Sequence, residues 1–307
     1  MKRVVAFFLT LAISLLLLPS PSVASDETLI VDDDRGDCPD AGFTSIQAAV
    51  DTATPGETIV VCNGTYHEQV TVTKNGLTIR AKGEPGDVIV DAHGHDAGFR
   101  IQNASNVTVQ GFTVMMAHEA DILLVNSNGN TIRRNVTSAA GHDGIQLFAS
   151  SGNLIEHNVV MDNLADNACG INVSGGSQNN VIRHNVLTNN MWGIQIAGAT
   201  TTGNVIERNS AVGNRGNGIR NVGGASGTLI EGNRVLDNGF APGPFTGFPA
   251  GIRIAAGTGA SVVRNRAFGN VSVDLLSQST AATFERNRCE TSSPPGLCMH
   301  PSEEEQD

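Results

Sequence analysis

One short pattern recurs through most of this chain: an aliphatic or aromatic residue, two variable residues and an asparagine. It reads IRRN, IEHN, IRHN, IERN, IEGN, VVRN and FERN, and its asparagines stand at positions 135, 158, 185, 209, 233, 265 and 287. The intervals between them are 23, 27, 24, 24, 32 and 22 residues. A period in the low twenties is typical of a solenoid, in which every repeat forms one turn of a wound chain.

A second pattern, glycine followed by alternating aliphatic and polar residues, occupies another part of the repeat. It reads GIQLF at 144, GINVS at 170, GIQIA at 193, GIRNV at 218 and GIRIA at 251. Because side chains alternate along a strand, we expect Ile145 and Leu147 to face inward and Gln146 to face outward. Ile155 and Val160 face inward again after the next turn. The two patterns therefore predict several short strands in every repeat.

Asn158 and its counterparts are expected in the turns, because asparagine tolerates left-handed backbone angles and its amide can bond the turn backbone. Strands lie about 4.8 Å apart, so stacked coils would place each amide beside the next. A coil of about twenty-four residues buries some four aliphatic side chains, each worth about 1.5 to 3 kcal/mol. Ordering the backbone costs about 1 to 2 kcal/mol per residue. A single coil is therefore unstable, and the coils must fold as an array.

The two patterns resemble the right-handed parallel β-helix repeat of the pectin-lyase-like superfamily over roughly residues 40 to 290. They also resemble the repeats of NosD-type periplasmic proteins. The Leu-x-x-Leu-x-Leu pattern of a leucine-rich horseshoe is missing. The resemblance implies an all-β fold, a right-handed parallel β-helix solenoid of about nine or ten coils with a short N-terminal capping helix.

The chain start has the features of an export signal. Within residues 1–25, Lys2 and Arg3 precede an apolar run over 4–18, and small residues follow it. This order predicts a secretory signal peptide, because the run is shorter than the ~20 residues that a membrane span needs. No other segment is apolar enough to cross a membrane. We therefore expect a secreted or periplasmic, extracellular location.

Three segments follow the signal peptide: an N-terminal cap with the first coils over 26–92, the repeats over 93–290, and a cap loop with a disordered acidic tail over 291–307. Residues 44–53 predict a short helix with Thr44 or Ser45 as its cap and Ile46, Ala49 and Val50 on its apolar face. A solenoid needs such a cap, since its first coil otherwise exposes apolar side chains and strand edges.

The five cysteines fit an exported protein, in which disulfides form. Proximity within the end segments favours the pairs Cys38–Cys62 and Cys289–Cys298, although spacing alone leaves the connectivity open. Cys169 remains unpaired, and we interpret it as a small, half-buried residue.

The formal net charge of −11 disfavours nucleic acid and anionic membranes as partners. Apart from the terminal EEEQD, the charged residues are spread along the sequence. An extended polysaccharide is the partner that the resemblance implies. The oligomeric state stays open.

Aligning the coils on their strand starts brings acidic and histidine residues into one turn of three successive coils. These residues are His95, Asp96, His118, Glu119, His142 and Asp143. We predict His118, Glu119, His142 and Asp143 as an acid–base set that acts on a sugar ring. His95, Asp96 and His118 form a tentative metal set, and a divalent ion such as Ca²⁺ is a candidate cofactor. A merely solvated polar turn is the alternative.

The outward strand position gives a second row of polar and basic residues. Its members are Arg100, Leu123, Gln146, Asn172, Gln195, Arg220, Arg253 and Asp274. Such a row can hydrogen-bond a long glycan, and arginine can pair with uronate carboxylates. Trp192 precedes Gly193 at the same edge, and a long loop over 239–250 carries three phenylalanines, so aromatic platforms for sugar rings are expected there. Apart from Leu123 and Asp274, the row and Trp192 form the predicted substrate-binding set.

Three functions remain open at this point. The leading hypothesis is an exported protein that acts on or binds polysaccharide, as a uronate lyase, an epimerase or a glycoside hydrolase. The alternatives are a non-catalytic surface or periplasmic binding β-helix and a metal-related periplasmic accessory protein. The Asn-Thr-Asp, Gly-His-Gly and Arg-Ile-Lys motifs of polygalacturonases and the Asp-Pro-His signature of alginate epimerases are absent, so the resemblance does not fix the chemistry.

Overall fold

The chain winds into a right-handed parallel β-solenoid of about nine turns, with three parallel sheets along its length. The computed structural model describes residues 28–240 and 248–299. The predicted signal peptide, residues 241–247 of the long loop and the acidic tail from residue 300 onward lie outside these residues. The predicted fold class is confirmed.

We number the sheets in the order in which one coil crosses them, and we count only strands of the described residues. Sheet 1 has ten strands: Val70–Val72, Ala97–Gln102, Ala120–Val125, Asp143–Phe148, Cys169–Ser174, Trp192–Ala197, Ile219–Val222, Ile252–Ile254, Leu275–Ser277 and Ser292–Ser293. Sheet 2 has eleven strands: Thr28–Val31, Thr58–Val61, Thr78–Ala81, Thr108–Gln110, Thr131–Arg133, Leu154–Glu156, Val181–Arg183, Val205–Glu207, Thr228–Glu231, Ala260–Val263 and Thr283–Glu285. Sheet 3 has ten strands: Gly64–Tyr66, Val88–Asp91, Thr113–Met115, Val136–Ser138, Val159–Met161, Val186–Thr188, Ser210–Val212, Arg234–Leu236, Arg266–Phe268 and Arg288–Cys289.

Strands of successive coils pair in register, so equivalent residues form columns. In sheet 1, Ile122 pairs with Ile145, Ile145 with Ile171, and Ile171 with Ile194. All four side chains are fully buried, whereas Gln146 is half-buried on the outer face. The predicted alternation of inward and outward residues is confirmed.

The asparagines of the short pattern form a continuous amide ladder between sheets 2 and 3. Asn158 Nδ2 donates to Asn185 Oδ1 at 3.0 Å and to the carbonyl of Ile132 at 2.9 Å. The predicted stacking of amides is therefore confirmed. The predicted turn conformation is wrong by one residue, because it is His157, directly before Asn158, that has the left-handed φ of +56°. Its φ leaves the following asparagine side chain free to satisfy backbone groups of the neighbouring coils.

The solenoid carries two further amide ladders that the sequence analysis did not predict. One precedes sheet 2 and consists of Asn130, Asn153, Asn180 and Asn204. The other follows sheet 3 and consists of Asn163, Asn190, Asn214, Asn238 and Asn270. Buried amides therefore bond from coil to coil at all three corners of the described solenoid.

The N-terminal end is covered by the helix Ile46–Thr52. Its N-cap is Ser45, which accepts a hydrogen bond from Ala48 N, and its buried residues are Ile46, Ala49 and Val50. This confirms the predicted capping helix and its apolar face. Among the described residues, no helix is both long and apolar enough to cross a membrane.

Both predicted disulfides are present. Cys38 bonds to Cys62 near the N-terminal end, and Cys289 bonds to Cys298 at the last coil. Cys169 is free and fully buried.

Candidate functional site

Two neighbouring columns on the outer face of sheet 1 contain most of the predicted site residues. Asp143 pairs with Ala120, and Cys169 pairs with Trp192 in the same column. The parallel register also gives a row of outward positions: Arg100, Leu123, Gln146, Asn172, Gln195, Arg220 and Arg253. The predicted alignment of the coils is thus correct from Arg100 to Arg253.

Asp143 is a fully buried carboxylate with a complete set of donors. Its Oδ1 accepts from Cys169 N at 2.8 Å, and its Oδ2 accepts from Asn172 Nδ2 at 2.8 Å. His142 Nδ1 lies 3.1 Å from the same Oδ2. Asp143 has no exposed surface, so its side chain does not face a ligand in this structure, and its direct action on a sugar stays a prediction. Its geometry instead orients His142.

His142 is the accessible member of this pair, with 41% of its side chain exposed. The hydrogen bond with Asp143 raises the pKa of His142 above its ordinary value, although partial burial opposes the shift. The negative charges of Asp143 and Glu119 raise the pKa of His142 further. An exposed imidazole with a carboxylate behind it is suited to proton transfer.

A row of hydrogen bonds connects this pair to Arg220, across three coil steps. Asn172 donates to Asp143, and Gln195 Nε2 donates to Asn172 Oδ1 at 3.1 Å. Arg220 Nη2 in turn donates to Gln195 Oε1. The predicted acid–base residues His142 and Asp143 and three predicted binding residues therefore belong to one hydrogen-bonded row. The row fixes the amide orientations, since each amide oxygen accepts and each amide nitrogen donates along it.

Trp192 is not the open platform that the sequence analysis expected. Its side chain is only 2% exposed, and the guanidinium of Arg220 lies 3.1 Å from the ring centroid. Burial lowers the pKa of Arg220 to about 10, which still leaves the group charged at neutral pH. Trp192 therefore supports the guanidinium from below, and Arg220 is the group that a ligand can meet.

Three buried polar atoms along this face make no hydrogen bond within the described chain. They are Gln146 Oε1, Trp192 Nε1 and Arg220 Nε. Buried polar atoms are nearly always paired with protein or water. These three atoms are exceptions, and because they are enclosed by neighbouring side chains, a ligand would reach them only if those side chains moved.

The tentative metal set does not come together. His118 Nδ1 lies 3.8 Å from Asp96 Oδ1, and both side chains are well exposed. The donor atoms of His95, Asp96 and His118 do not converge on one point in the described chain, and the metal set stays a prediction. His118 pairs with Asp96 rather than with Asp143, and only Glu119, whose charge acts on His142, stays close to the acid–base pair.

Within residues 28–240 and 248–299, the two groups of metal-type donors that do converge both contain Asp32. One includes Cys38 and Cys62, which are bonded to each other, and the other is Asp32, Asp33 and Asp34. Asp32 already accepts hydrogen bonds from the backbone N–H groups of Arg35 and Cys38. These residues lie at the N-terminal end, several coils away from His142, and we derive no step through a metal.

The outward row is less uniform near its two ends than in its middle. Leu123 is 1% exposed and interrupts the polar row between Arg100 and Gln146. Arg253 lies 5.6 Å from the ring centroid of Phe248, an exposed residue of the long loop. Asp274 is not part of the row, because Leu276 pairs with Arg253 and Asp274 lies two residues earlier. The predicted position of Asp274 in the row is therefore wrong by two residues.

Cys169 is the participant that the sequence analysis did not assign to this site. Its backbone N–H holds Asp143, and burial raises the pKa of its thiol well above the ordinary value. The thiol is therefore protonated and unreactive at neutral pH. The sequence could have indicated this role, because the coil alignment places Cys169 next to Asp143 in the following coil.

Residues 58–235 match the family described as "Right handed beta helix region". This match covers more than half of the chain, and the chain belongs to the right-handed β-helix family. Among curated proteins, no sequence matches.

Several solved structures share the fold at low identity. Pectate lyase Pel9A is 18% identical with a TM-score of 0.59, over 87% of this chain and 70% of that one. An alginate lyase from Paenibacillus sp. strain FPU-7 is 15% identical with a TM-score of 0.55, over 83% of this chain and 94% of that one. The A-module of mannuronan C-5 epimerase AlgE4 from Azotobacter vinelandii is 16% identical with a TM-score of 0.51, over 88% of this chain and 97% of that one. These likenesses establish the shared fold.

Proposed function

We propose that this protein binds a uronate-containing polysaccharide along the outer face of sheet 1 and transfers a proton at His142. The observation that carries the proposal is the hydrogen-bonded row from His142 through Asp143, Asn172 and Gln195 to Arg220. The names of the similar structures, two lyases and an epimerase of uronate polymers, support the same substrate class.

The binding part of the proposal follows from charge and spacing. Arg220 and Arg253 are neighbours in the row, about 4.8 Å apart, and both stay half-buried. A guanidinium can hold a carboxylate through two parallel hydrogen bonds, and partial burial strengthens that attraction. Gln146 lies in the same row and is half-buried on the outer face. A chain lying along the solenoid axis would meet these groups one after another.

The acid–base part favours elimination or epimerisation over hydrolysis. Glycoside hydrolysis commonly uses two carboxyl groups that flank the bond, whereas Asp143 is fully buried and Glu119 is the carboxylate near His142. Neutral His142 would take the proton from C5 of a uronate, which is acidified by the adjacent carboxyl group. In a lyase the electron pair then forms the C4–C5 double bond, the C4–O4 bond breaks and the leaving oxygen takes a proton. In an epimerase a proton returns to C5 from the other side.

Export is part of the same proposal. The apolar leader favours it, and both disulfides fit an oxidising compartment such as the periplasm or the exterior.

The proposal is tested with polygalacturonate, alginate and a neutral glucan. Ultraviolet absorbance detects the unsaturated product of elimination, and proton NMR detects epimerised sugars. We expect His142→Ala to lower turnover by about 10²- to 10⁴-fold, the usual range for a general base, while the affinity for polymer is kept. The matched control is His67→Ala, because His67 also pairs with an aspartate, Asp91, at 3.1 Å but lies on another face.

The pH profile gives a second readout. His142 acts as a base only above its raised pKa, so turnover should rise with pH through that value. Asp143→Asn removes the hydrogen bond that raises the pKa, and the rise should move to lower pH. If the His67 and His142 variants lose turnover equally, the assignment of His142 is wrong.

A non-catalytic binding protein is the second candidate. The observation that favours it is that the bonds of Asp143 with Cys169 N and Asn172 Nδ2 tie neighbouring coils together, as those of a purely structural residue would. Tight binding of uronate polymer that is weakened by Arg220→Gln/Arg253→Gln, without turnover of any polymer, would select this candidate. Failure of all polymers to bind would reject both.

A further inference from the structure

The basic residues are concentrated at the corner where sheet 2 meets sheet 3, on the side of each coil away from sheet 1. We call this corner the arginine edge. It consists of Arg80, Arg133, Arg134, Arg183, Arg208, Arg234, Arg264, Arg266, Arg286 and Arg288. These are ten of the nineteen Lys and Arg residues in a chain whose net charge is −11. Charged residues that are spread along the sequence are therefore brought together in three dimensions.

The amide ladder between sheets 2 and 3 brings these arginines together. The residue before each ladder asparagine has a left-handed φ, and it is arginine at 134, 208, 264 and 286. The residue after the asparagine begins a strand of sheet 3 and is arginine in the last three coils, where Arg234 pairs with Arg266 and Arg266 with Arg288. Arginines far apart in sequence therefore stack along the solenoid axis.

Most of this charge remains available. Arg183 pairs with Glu156 at 2.8 Å, and Arg264 pairs with Glu231. Arg134, Arg208 and Arg286 are exposed and form no ion pair within the described chain. Glu156, Glu207, Glu231 and Glu285 are the acidic residues of the adjoining column of sheet 2. From Arg133 onward, nine arginines of the edge stand against these four glutamates, which leaves this part of the edge positive.

We propose that the arginine edge is a second binding surface, which holds a linear carboxylate-bearing polysaccharide. The surface goes beyond the acid–base site, since it lies at another corner of the coil and contains none of that site's residues. Its function would be to anchor the protein on the polymer.

The geometry favours a linear polyanion. From the coil of Arg208 to the coil of Arg286 the edge runs about 14 Å, with one coil about every 4.8 Å. Guanidinium groups match carboxylates in a bidentate geometry. A single-stranded nucleic acid would also need aromatic surfaces for its bases. The edge offers two: the rings of His157 and His184, which stack on each other at 5.0 Å, and half-buried Phe268, 6.0 Å from Arg266. Nucleic acid is therefore the competing ligand, and the net charge of −11 disfavours it.

The test compares two variants of equal charge change in the full chain. Arg266→Gln/Arg286→Gln removes two exposed arginines of the edge. Arg35→Gln/Lys82→Gln removes two exposed cations near the N-terminal end, seven coil steps or more before the coil of Arg266. Affinity for polygalacturonate is measured at several salt concentrations, in the wild-type chain and in an Arg220→Gln/Arg253→Gln background. All variants are checked for an unchanged unfolding midpoint.

We expect the edge variant to weaken binding about tenfold or more at low salt, and to reduce the slope of log affinity against log salt by about two, since two cations are removed. The control variant should change neither quantity in either background. Equal weakening by both variants would show that only net charge matters and would overturn the proposal.

The Arg220→Gln/Arg253→Gln background distinguishes binding at the arginine edge from binding at sheet 1. If the edge variant still weakens binding after Arg220 and Arg253 are replaced, the edge binds independently of sheet 1. If binding is already lost in that background, sheet 1 binds the polymer and the edge proposal is wrong. Polyphosphate and phosphatidylglycerol vesicles serve as further probes. Stronger edge-dependent binding of either than of polygalacturonate would overturn the assignment to a carboxylate polymer.

Discussion

Asp121 and Asp274 occupy positions where the other coils of sheet 1 begin with glycine. Each closes one end of the amide ladder that follows sheet 3. Asp121 Oδ1 accepts from Ala117 N at 3.2 Å, and Asp274 Oδ1 accepts from Asn270 N at 3.2 Å. Elsewhere in this ladder, the asparagine of the following coil accepts such a bond. The coils that follow Ala117 and Asn270 have no asparagine at that position. A single residue thus replaces a missing ladder member from within its own coil.

The two carboxylates differ in their second oxygen. Asp274 Oδ2 accepts from the N–H groups of Glu290 and Thr291. Asp121 Oδ2 is buried and forms no hydrogen bond within the described residues. Burial accordingly raises the pKa of Asp121 well above its ordinary value, against the opposing effect of its backbone hydrogen bonds.

We predict that Asp121→Asn stabilises the protein at neutral pH. An unfolded aspartate has a pKa of about 3.9. The unfolded chain therefore releases a proton that folded Asp121 retains, and wild-type stability falls as the pH rises from about 4 towards the raised pKa. Asparagine keeps the acceptor for Ala117 without this penalty. Denaturant unfolding should show a gain of about 1 kcal/mol at pH 7 and a smaller gain at pH 4.

Asp274→Asn is the matched control, since both carboxylate oxygens of Asp274 accept hydrogen bonds. Asparagine would lose one acceptor for the N–H groups of Glu290 and Thr291, so this variant should be destabilised by about 1 to 3 kcal/mol. A stability gain for both variants, or a gain for Asp121→Asn that is the same at pH 4 and pH 7, would contradict the explanation.

At the scale of the element, the amide ladder is the feature that joins one coil to the next outside the sheets. Asn185 Oδ1 accepts from both Asn158 N and Asn158 Nδ2, and Asn185 Nδ2 donates to the carbonyl of Ile155 and to Asn209 Oδ1. Its removal leaves buried donors and acceptors on two neighbouring coils without partners. Such groups cost about 1 to 3 kcal/mol each.

We predict that Asn185→Ala lowers the free energy of unfolding by about 3 kcal/mol or more, measured by denaturant titration. The matched control is Asn128→Ala, because Asn128 is exposed and accepts one bond, from Ser151 N. Its loss should cost less than about 1 kcal/mol, since water can replace the partner. Equal effects of the two changes would show that the ladder adds nothing beyond single turn contacts.

At the scale of the whole molecule, the solenoid depends on its ends, because every inner coil is covered by two neighbours and the last coil by one. The Cys289–Cys298 bond closes the chain over the last coil, where Leu297 and Cys298 pack against the core. The bond restrains the unfolded chain through a short loop, an effect of about 2 to 3 kcal/mol.

We predict that Cys289→Ser/Cys298→Ser lowers the melting temperature and speeds hydrogen exchange first in the C-terminal coils. Stability in such arrays is approximately a sum over neighbouring repeats, so fraying should begin at the weakened end. Exchange that accelerates uniformly along the solenoid would contradict this. Cys169→Ser is the control for the loss of a thiol, and it should leave the C-terminal coils unchanged.

Much of the fold was readable from the sequence because the repeat is periodic. The spacing of the asparagines gave the coil length, and the alternation around Ile145 gave the inward face. The apolar positions of the helix at Ile46–Thr52 gave the N-terminal cap. Each of these depends on local geometry, namely strand alternation and helix periodicity, which one sequence contains.

The candidate site was predicted only in part, because it depends on side-chain direction and burial. The alignment correctly put Asn172, Gln195 and Arg220 in one row. It did not reveal that Asp143 is buried behind His142, that Trp192 lies under Arg220, or that His118 pairs with Asp96. Residues at equivalent positions of neighbouring coils can direct their side chains to different sides. The backbone register gives their positions but not the directions of their side chains.

The sequence by itself determined the winding of this protein, since a repeat of alternating residues and turn asparagines can bury its apolar side chains only by stacking. The tertiary structure decided where charge gathers and which polar groups meet. Net charge counts residues without their positions, whereas stacking collects arginines from distant segments onto a single edge. The same stacking connects His142 to Arg220, seventy-eight residues later, through hydrogen bonds between neighbouring coils.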